Sequence, residues 1–366
     1  MTKRTTAVLA AASLAALATS ACGSDDNTLG RGTNAAPVNV TCGGSGTLTG
    51  AGSTFQKNIE LQWIKDFTGA CDGTTVDYKA TGSGAGISQF GEGTVDYAGT
   101  DSLMKDDEQA KADARCGRGN TAIHLPVAAG AVVFTYHLRG LPDALRLSPA
   151  TIAGIFTGKI TRWDAPEVKA DNPGVTLPTI AVQAVHRSDS SGTTDVLSRF
   201  LDAQAKDTWT LGVGKELSWP GGQAAKGSDG VTGVVKATEG GITYTELSFA
   251  KSNDLPWAKV RNASGAYVDA VGLNVSAALA TAKLESAPTG DLRADVDYGT
   301  KEPAAYPVAA VSYVIVCDKG NKNAELLKAF LGYAVSGGQS GADQLGYAPV
   351  PTNIAVKLGL AVQALT

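Results

Sequence analysis

The first part of the chain alternates between the helical and the strand pattern of hydrophobic positions. Apolar residues recur at helical spacing over residues 54–68, which predicts an amphipathic helix. A short strand pattern at 47–51 comes before it, and strand patterns at 76–80 and 95–99 follow, separated by a glycine-opened helix at 82–90. The order strand, helix, strand, helix, strand predicts a parallel, doubly wound sheet.

The rest of the chain continues the alternation of strands and helices. Strands are predicted at 123–136, 180–186, 241–245 and 308–316, and helices at 149–156, 192–201, 230–238, 270–282 and 323–335. The run at 308–316 is strongly β-branched, which is typical of a buried strand. The run at 123–136 contains Pro126 and Gly130, and we expect it to leave the first sheet. A second α/β segment is therefore predicted.

The N-terminus has the pattern of an export signal. Lys3 and Arg4 precede an apolar run at 7–18, and small residues lead to Cys22. A helix needs roughly 20 apolar residues to cross a bilayer, so this run predicts a signal peptide at 1–21. The letters LATSAC resemble a lipobox, which favours lipidation of Cys22, although an ordinary signal peptide cut near Ala21 is the alternative.

After Cys22, the polar and small residues of 22–44 predict a flexible tether. A lipid on Cys22 would attach the exported protein to the outer face of the bacterial cell membrane. We therefore expect membrane attachment through an N-terminal lipid.

Composition limits both the size and the partners of the protein. With 366 residues, 18% charged and 43% hydrophobic, the chain is long enough for two domains with cores. The net charge is −4, and removal of the signal would leave 29 basic against 35 acidic residues, or −6. This balance argues against nucleic-acid binding through a broad basic surface. A bound anion must be held by local groups.

The cysteines predict disulfides rather than a metal site. If Cys22 carries lipid, Cys42, Cys71, Cys116 and Cys317 remain, and an exported chain with four cysteines predicts two disulfides. Three pairings are possible. We favour Cys42 with Cys71 and Cys116 with Cys317, because the first pair brackets one strand–helix unit. No CxxC motif or Cys/His cluster is present, so we expect no zinc.

Three glycine-rich turns share one design, in which small hydroxyl residues lie at the start of a helix. They are GAGSTF (50–55), TGSGAG (81–86) and RSDSSGTT (187–194). Helix N-termini present unpaired N–H groups to anions, although each turn taken alone is more typical of a simple helix cap. Neither GxGxxG nor GxxxxGK[ST] is present, which favours an anion smaller than a nucleotide and no cofactor.

The third turn adds an arginine, and the histidines do not indicate an enzyme. Arg187 offers a fork of donors suited to an oxyanion, with a surface pair between Arg187 and Asp189 as the alternative. His124, His137 and His186 lie in no HExxH or GxSxG context. Neighbouring strand residues point to opposite faces, so His186 and Arg187 are not expected to share a pocket. We therefore expect a binding protein, not an enzyme.

Five segments resemble the PstS family, the phosphate-binding receptors of bacterial ABC phosphate importers. They are LTGAGSTF (48–55), YKATGSGAGISQF (78–90), TVDYAGTDSLM (94–104), GKITRWDAPEV (158–168) and VHRSDSSGTTDVL (185–197). The resemblance implies that one phosphate is bound by Thr54, Phe55, Ser83, Asp101, Arg187, Asp189, Ser191, Gly192 and Thr193. An ABC-type phosphate permease in the membrane is the implied partner.

The resemblance also implies the fold, an α/β two-domain clamshell of the periplasmic-binding-protein type with hinge strands between its domains. Domain one would comprise 45–125 and 306–366, and domain two 126–305. Alternatives are a receptor for another tetrahedral oxyanion such as sulfate or molybdate, and a secreted phosphatase. Asp101 argues against sulfate, because an ionised carboxylate can accept a hydrogen bond from the protonated oxygen of phosphate, and sulfate has no such proton.

Overall fold

The computed structural model describes residues 39–141 and 144–366. The predicted signal peptide at 1–21, Cys22 and the tether up to residue 38 lie outside the described residues. Within the described part of the chain, no helix combines the length and the apolar character needed to span a membrane.

The elements alternate along the chain largely as the sequence predicts. The strands are β1 (Gly46–Gly52), β2 (Thr74–Lys79), β3 (Tyr97–Thr100), β4 (Ala122–Tyr136), β5 (Arg146–Leu147), β6 (Gln183–Arg187), β7 (Gln223–Ala225), β8 (Gly241–Glu246), β9 (Lys259–Arg261), β10 (Tyr267–Val268), β11 (Lys283–Ser286), β12 (Leu292–Asp295) and β13 (Ala309–Cys317). The helices are α1 (Lys57–Ala70), α2 (Ser83–Gly91), α3 (Asp106–Cys116), α4 (Pro149–Phe156), α5 (Pro166–Asp171), α6 (Gly192–Gln204), α7 (Gly227–Ala237), α8 (Leu247–Ser252), α9 (Gly272–Leu279), α10 (Ala324–Ala334), α11 (Ala342–Leu345) and α12 (Thr352–Ala364).

One eight-stranded sheet runs through the molecule in the order β2-β1-β3-β13-β4-β8-β6-β7. Strand β1 pairs in parallel with both β2 and β3, as the sequence predicts. Strand β4 pairs with β13 over its first part and with β8 from Val132 to Tyr136. Strand β4 therefore leaves the first half of the sheet and enters the second, as expected for the run at 123–136.

The core follows from the hydrophobic pattern. Every residue of β4 and β13 is buried, which explains why their sequences are apolar rather than alternating. Helix α1 places Ile59, Trp63 and Phe67 in the core, at the helical spacing. The buried sheet thereby fixes the positions of the strand ends and of the helix N-termini that follow them. The loops between these fixed points can present side chains to a ligand.

The two disulfides have the favoured pairing. Cys42 is bonded to Cys71 beside α1, and Cys116 at the end of α3 is bonded to Cys317 at the end of β13. The second bond joins segments separated by 201 residues. Both pairings predicted from the sequence are confirmed.

Some elements differ from the sequence prediction. Helix α1 begins at Lys57 rather than at residue 54, because the Ser53 hydroxyl accepts the Phe55 N–H and holds a turn there. Helix α7 begins at Gly227, three residues before the predicted start. Helix α3, the hairpin β11–β12 and helix α12 were not expected.

Candidate functional site

The three glycine-rich turns meet at one place. The Gly84 N–H of the second turn donates to the Ser190 carbonyl of the third turn at 3.0 Å. A side chain at Gly192 would lie 2.7 Å from Asp101 Oδ2, so only glycine allows this approach of α6 to Asp101. The segments that the sequence singles out separately therefore surround a common centre.

Arg187 is fixed by a two-pronged ion pair at this centre. Its Nε lies 2.7 Å from Asp189 Oδ1 and its Nη2 lies 2.5 Å from Asp189 Oδ2. The Arg187 side chain is 1% exposed, and its Nη1 has no hydrogen-bond partner among the described residues. A buried charged donor without a partner is costly, so Nη1 is a strong candidate to bind an anion.

Asp189 orients the arginine and is itself held ionised. Burial alone would raise the pKa of Asp189, but the hydrogen bonds and charge of Arg187 and the Gly227 N–H at 3.0 Å lower it below its usual value. Gly82, with φ of +100°, faces the Asp189 carboxylate so closely that any side chain there would collide with it. Asp189 thus leaves one face of the Arg187 guanidinium for a ligand.

Helix α6 adds neutral donors beside Arg187. The Ser191 hydroxyl caps the helix by accepting the Thr194 N–H at 3.2 Å. The Thr193 hydroxyl is fully buried and, in the part of the chain that the structure describes, has no hydrogen-bond partner. N–H groups of the first turn also have no intrahelical acceptor, so the start of α6 favours an anion.

Thr54 and Phe55 lie in the turn before α1, and both are buried. The Phe55 N–H donates to Ser53 Oγ at 2.9 Å, and Thr54 Oγ1 lies 2.8 Å from Ser228 Oγ at the start of α7. The turn therefore brings a backbone donor and a hydroxyl to the same region as α7.

Asp101 is the acceptor of the site and follows β3. Its Oδ1 accepts from Ser53 Oγ at 2.5 Å and from Ser312 Oγ at 2.7 Å, and its Oδ2 lies 3.5 Å from Ser83 Oγ. Burial raises the pKa of Asp101 to about 6, although the serine hydroxyls and the charge of Arg187 lower it. A carboxylate here can titrate within the physiological range.

Each predicted site residue lies in this cluster: Thr54, Phe55, Ser83, Asp101, Arg187, Asp189, Ser191, Gly192 and Thr193. Sequence reasoning missed Ser53 and Ser312, which hold Asp101, and the start of α7. The sequence GSDG at 227–230 has the same glycine and serine pattern as the three turns, and this pattern could have indicated that α7 starts at the site. Ser312 has no such signal, because it is a single hydroxyl within a buried strand.

His186 and Arg187 point to opposite sides of β6, as expected. The His186 ring stacks on Trp219 with centroids 4.8 Å apart, whereas Arg187 pairs with Asp189. Burial lowers the pKa of His186. His186 is therefore an aromatic packing partner and not a base for Ser190 or Ser191.

An ion pair closes one side of the cluster. Lys215 Nζ lies 2.6 and 2.7 Å from the two carboxylate oxygens of Glu108, and the Lys215 carbonyl accepts the Ser191 N–H at 2.9 Å. The Lys215 side chain is only 6% exposed. The segment that carries Lys215 is thereby fixed both to α3 and to the start of α6.

Comparison with known proteins identifies the class of protein to which this fold belongs. Residues 38–337 match the family model described as a PBP superfamily domain. The fold resembles a high-affinity periplasmic phosphate-binding protein named PfluDING, solved with bound phosphate, at a TM-score of 0.69 and 22% identity over 86% of this chain and 93% of that one. A phosphate-binding protein from Stenotrophomonas maltophilia gives a TM-score of 0.63 and 20% identity over 86% and 94%. The predicted two-domain periplasmic-binding-protein clamshell is confirmed.

Closer relatives identify the family. The chain is 39% identical to the phosphate-binding protein PstS 3 of Mycobacterium tuberculosis over 96% of this chain and 95% of that one. It is 35% identical to PstS 2 of the same species, with 98% of both chains covered. The chain therefore belongs to the PstS family of phosphate-binding proteins, which are transport proteins and not enzymes.

Proposed function

We propose that this protein binds inorganic phosphate outside the cytoplasm and delivers it to an ABC-type import permease. The observation that carries the proposal is the buried Arg187 Nη1, which has no hydrogen-bond partner in the described part of the chain, as is also true of the buried Thr193 hydroxyl, and which belongs to a side chain whose charge acts on the Asp101 carboxylate. Cation and hydroxyl donors beside one carboxylate suit an anion that still carries a proton. The names of the PstS relatives support the same ligand.

The proposed ligand set is the cluster described above. Arg187 supplies charge-assisted hydrogen bonds and is oriented by Asp189, while neutral donors come from the turn at Thr54 and Phe55, from Ser83, and from the start of α6. The Asp101 carboxylate accepts a hydrogen bond from the protonated oxygen of phosphate. Sulfate has no proton near neutral pH, so it would place two negative groups against each other in a buried site.

We also propose the domain division predicted from the sequence. Domain one comprises 45–125 and 306–366, and domain two comprises 126–305. The hydrogen bond from Gly84 to Ser190 and the ion pair of Lys215 with Glu108 then join the two domains. Rotation about β4 and β13 would open the cluster to solvent and close it over phosphate.

A direct test separates the receptor from a secreted phosphatase. Protein purified without added phosphate is denatured and the released phosphate is measured; a receptor is expected to release about one phosphate per chain. A phosphatase would instead release phosphate catalytically from an ester such as 4-nitrophenyl phosphate. Ester turnover with no stoichiometric phosphate would contradict the proposal.

The first prediction concerns the anchor. We propose that lipid on Cys22 attaches the exported chain to the membrane, and that Cys22→Ala releases a soluble protein with unchanged phosphate affinity, because the tether carries the lipid and the described fold carries the site. Fractionation of the cells and mass spectrometry of the N-terminus check this. Cys42→Ala is the control and should leave the lipid in place. A wild-type protein found unacylated in the medium would contradict the anchor.

A second prediction concerns Asp101. Asp101→Asn is expected to relax the preference for phosphate over sulfate, because an amide can turn its NH₂ group toward an oxygen that carries no proton. Competition binding of the two anions across pH 5 to 8 measures the effect. Asp107→Asn is the matched control, since it makes the same change at an exposed carboxylate in the first turn of α3. An unaltered preference in Asp101→Asn would remove Asp101 from the site.

A further inference from the structure

A serine in the hinge strand β13 contacts the acceptor of the site. The pairing of β13 with β4 shifts register between Ser312 and Tyr313, and such irregularities redirect side chains. Ser312 Oγ lies 2.7 Å from Asp101 Oδ1 and 2.8 Å from Gln56 Oε1. Ser312 and Gln56 are fully buried. The serine therefore links the carboxylate to an amide that lies behind the site.

The contacts continue into a closed ring. Gln56 Nε2 lies 3.3 Å from the Tyr78 hydroxyl, which donates to the Ser53 carbonyl at 2.8 Å. Ser53 Oγ accepts the Phe55 N–H and donates its own hydrogen back to Asp101. The ring thus runs from Asp101 through Ser312, Gln56, Tyr78 and Ser53 to Asp101.

This ring contains fewer hydrogens than contacts when Asp101 is ionised. Its five contacts are served by one hydrogen each from Ser312, Gln56, Tyr78 and Ser53. Ser312 must then divide its single hydrogen between Asp101 and Gln56. If the Gln56 amide is rotated, its NH₂ group donates to Ser312, but its oxygen then faces Tyr78. Tyr78 already donates its one hydrogen to the Ser53 carbonyl, so one contact still lacks a hydrogen. A proton on Asp101 supplies the missing hydrogen.

We propose that Ser312 and Gln56 are positioning residues that control whether Asp101 faces the bound anion as a carboxylate or as a neutral carboxylic acid. The inference rests on the proposed function, since it concerns the ligand preference of that same site. With Oδ1 occupied by Ser53 and Ser312, the ligand-facing atom is Oδ2. An ionised Oδ2 accepts a hydrogen bond from protonated phosphate, whereas a proton held on Oδ1 within the ring makes Asp101 neutral and removes its repulsion of sulfate.

The charged and titratable surroundings allow this change near neutral pH. Two groups face Asp101 directly, namely Arg187 on β6 and Tyr78 on β2. Asp195, Arg199 and Arg293 line the cavity beside Asp101. The pKa of Asp101 is raised to about 6 by burial, against the hydroxyls of Ser53, Ser312 and Ser83 and the charge of Arg187. Sulfate binding is therefore expected to strengthen as the pH falls through about 6.

Two substitutions shift this transition in opposite directions. Ser312→Ala removes a donor that stabilises the ionised form, so Asp101 stays protonated to a pH about one unit higher. Gln56→Met removes the nearer acceptor that competes for the Ser312 hydrogen and leaves only the Thr100 carbonyl at 3.4 Å, so Ser312 donates chiefly to Asp101 and the transition moves to lower pH. A disruption of packing alone would not give opposite signs.

The experiment measures sulfate binding to the full chain by titration calorimetry from pH 5 to 8, where sulfate itself does not titrate. Ser312→Thr keeps the hydroxyl and should keep the wild-type midpoint, and Asp107→Asn, which changes an exposed carboxylate of α3, should match the wild type. Asp101→Asn should abolish the pH dependence. If Ser312→Ala does not fold, Ser312→Thr and Gln56→Met still test the proposal.

Phosphate binding at pH 7.5 separates two kinds of failure. A wild-type protein that binds no phosphate would overturn the proposed function. If the wild-type protein binds phosphate but its sulfate binding does not change with pH, only the role of Ser312 and Gln56 is overturned. The same conclusion follows if Ser312→Ala and Gln56→Met shift the pH midpoint of sulfate binding in the same direction.

Discussion

Arg187→Ala is expected to weaken phosphate binding by about 10- to 150-fold, which corresponds to the loss of one hydrogen bond to a charged group of roughly 1.5 to 3 kcal/mol. The guanidinium is buried and held on one face by Asp189, so its Nη1 is already aimed before the ligand arrives. Neutral donors of α6 would retain the remaining affinity. Titration calorimetry at pH 7.5 measures the change.

Three further variants isolate the role of Arg187. Arg187→Lys keeps the charge but not the fork, so an intermediate loss is expected. Arg187→Ala combined with Asp189→Ala removes the carboxylate that would otherwise be left unpaired, and affinity should stay low. Arg199→Ala removes a half-exposed arginine of α6 that pairs with Asp195 and should have little effect. Unchanged affinity in a folded Arg187→Ala would place Arg187 outside the site.

Removal of the disulfide between Cys116 and Cys317 is expected to lower the free energy of unfolding by about 2 to 5 kcal/mol. The bond closes a segment of 201 residues, and both sulfurs are buried beside the ends of α3 and β13. An unfolded chain without this bond has many more conformations to lose on folding. Chemical denaturation of Cys116→Ala combined with Cys317→Ala measures the loss.

The other disulfide is the matched control. Cys42 and Cys71 are separated by only 29 residues, so loop-closure entropy predicts that their removal costs about 2 kcal/mol less. Both double variants replace two cysteines by alanine. An equal loss of stability in the two variants would contradict the dependence on segment length.

Elements with a strong apolar pattern could be predicted from the sequence, and elements without one could not. Strands β4 and β13 and helix α1 bury nearly continuous or evenly spaced apolar residues. Helix α3 buries only Ala112 and Cys116, and its first turn is acidic, so no apolar stripe marks it. The disulfide of Cys116 and packing against the sheet hold this helix in place.

The residues of the site divide in the same way into those that the sequence predicts and those that it does not. The turns around Ser83 and Arg187 could be found because glycine and hydroxyl residues at a helix start have a local physical reason. Ser312 could not be found, because its role depends on a register shift in β13 and on a contact with Asp101 across 211 residues. Long-range contacts of single polar residues leave no periodic signal in the sequence.

The most direct test of the central claim is titration of the mature chain with phosphate and with sulfate at pH 7.5, after denaturation and refolding to remove retained anion. We predict one phosphate per chain and sulfate binding at least about 100-fold weaker, because the ionised Asp101 repels an anion without a proton. Equal binding of the two anions, or no binding of phosphate by the folded chain, would contradict the account.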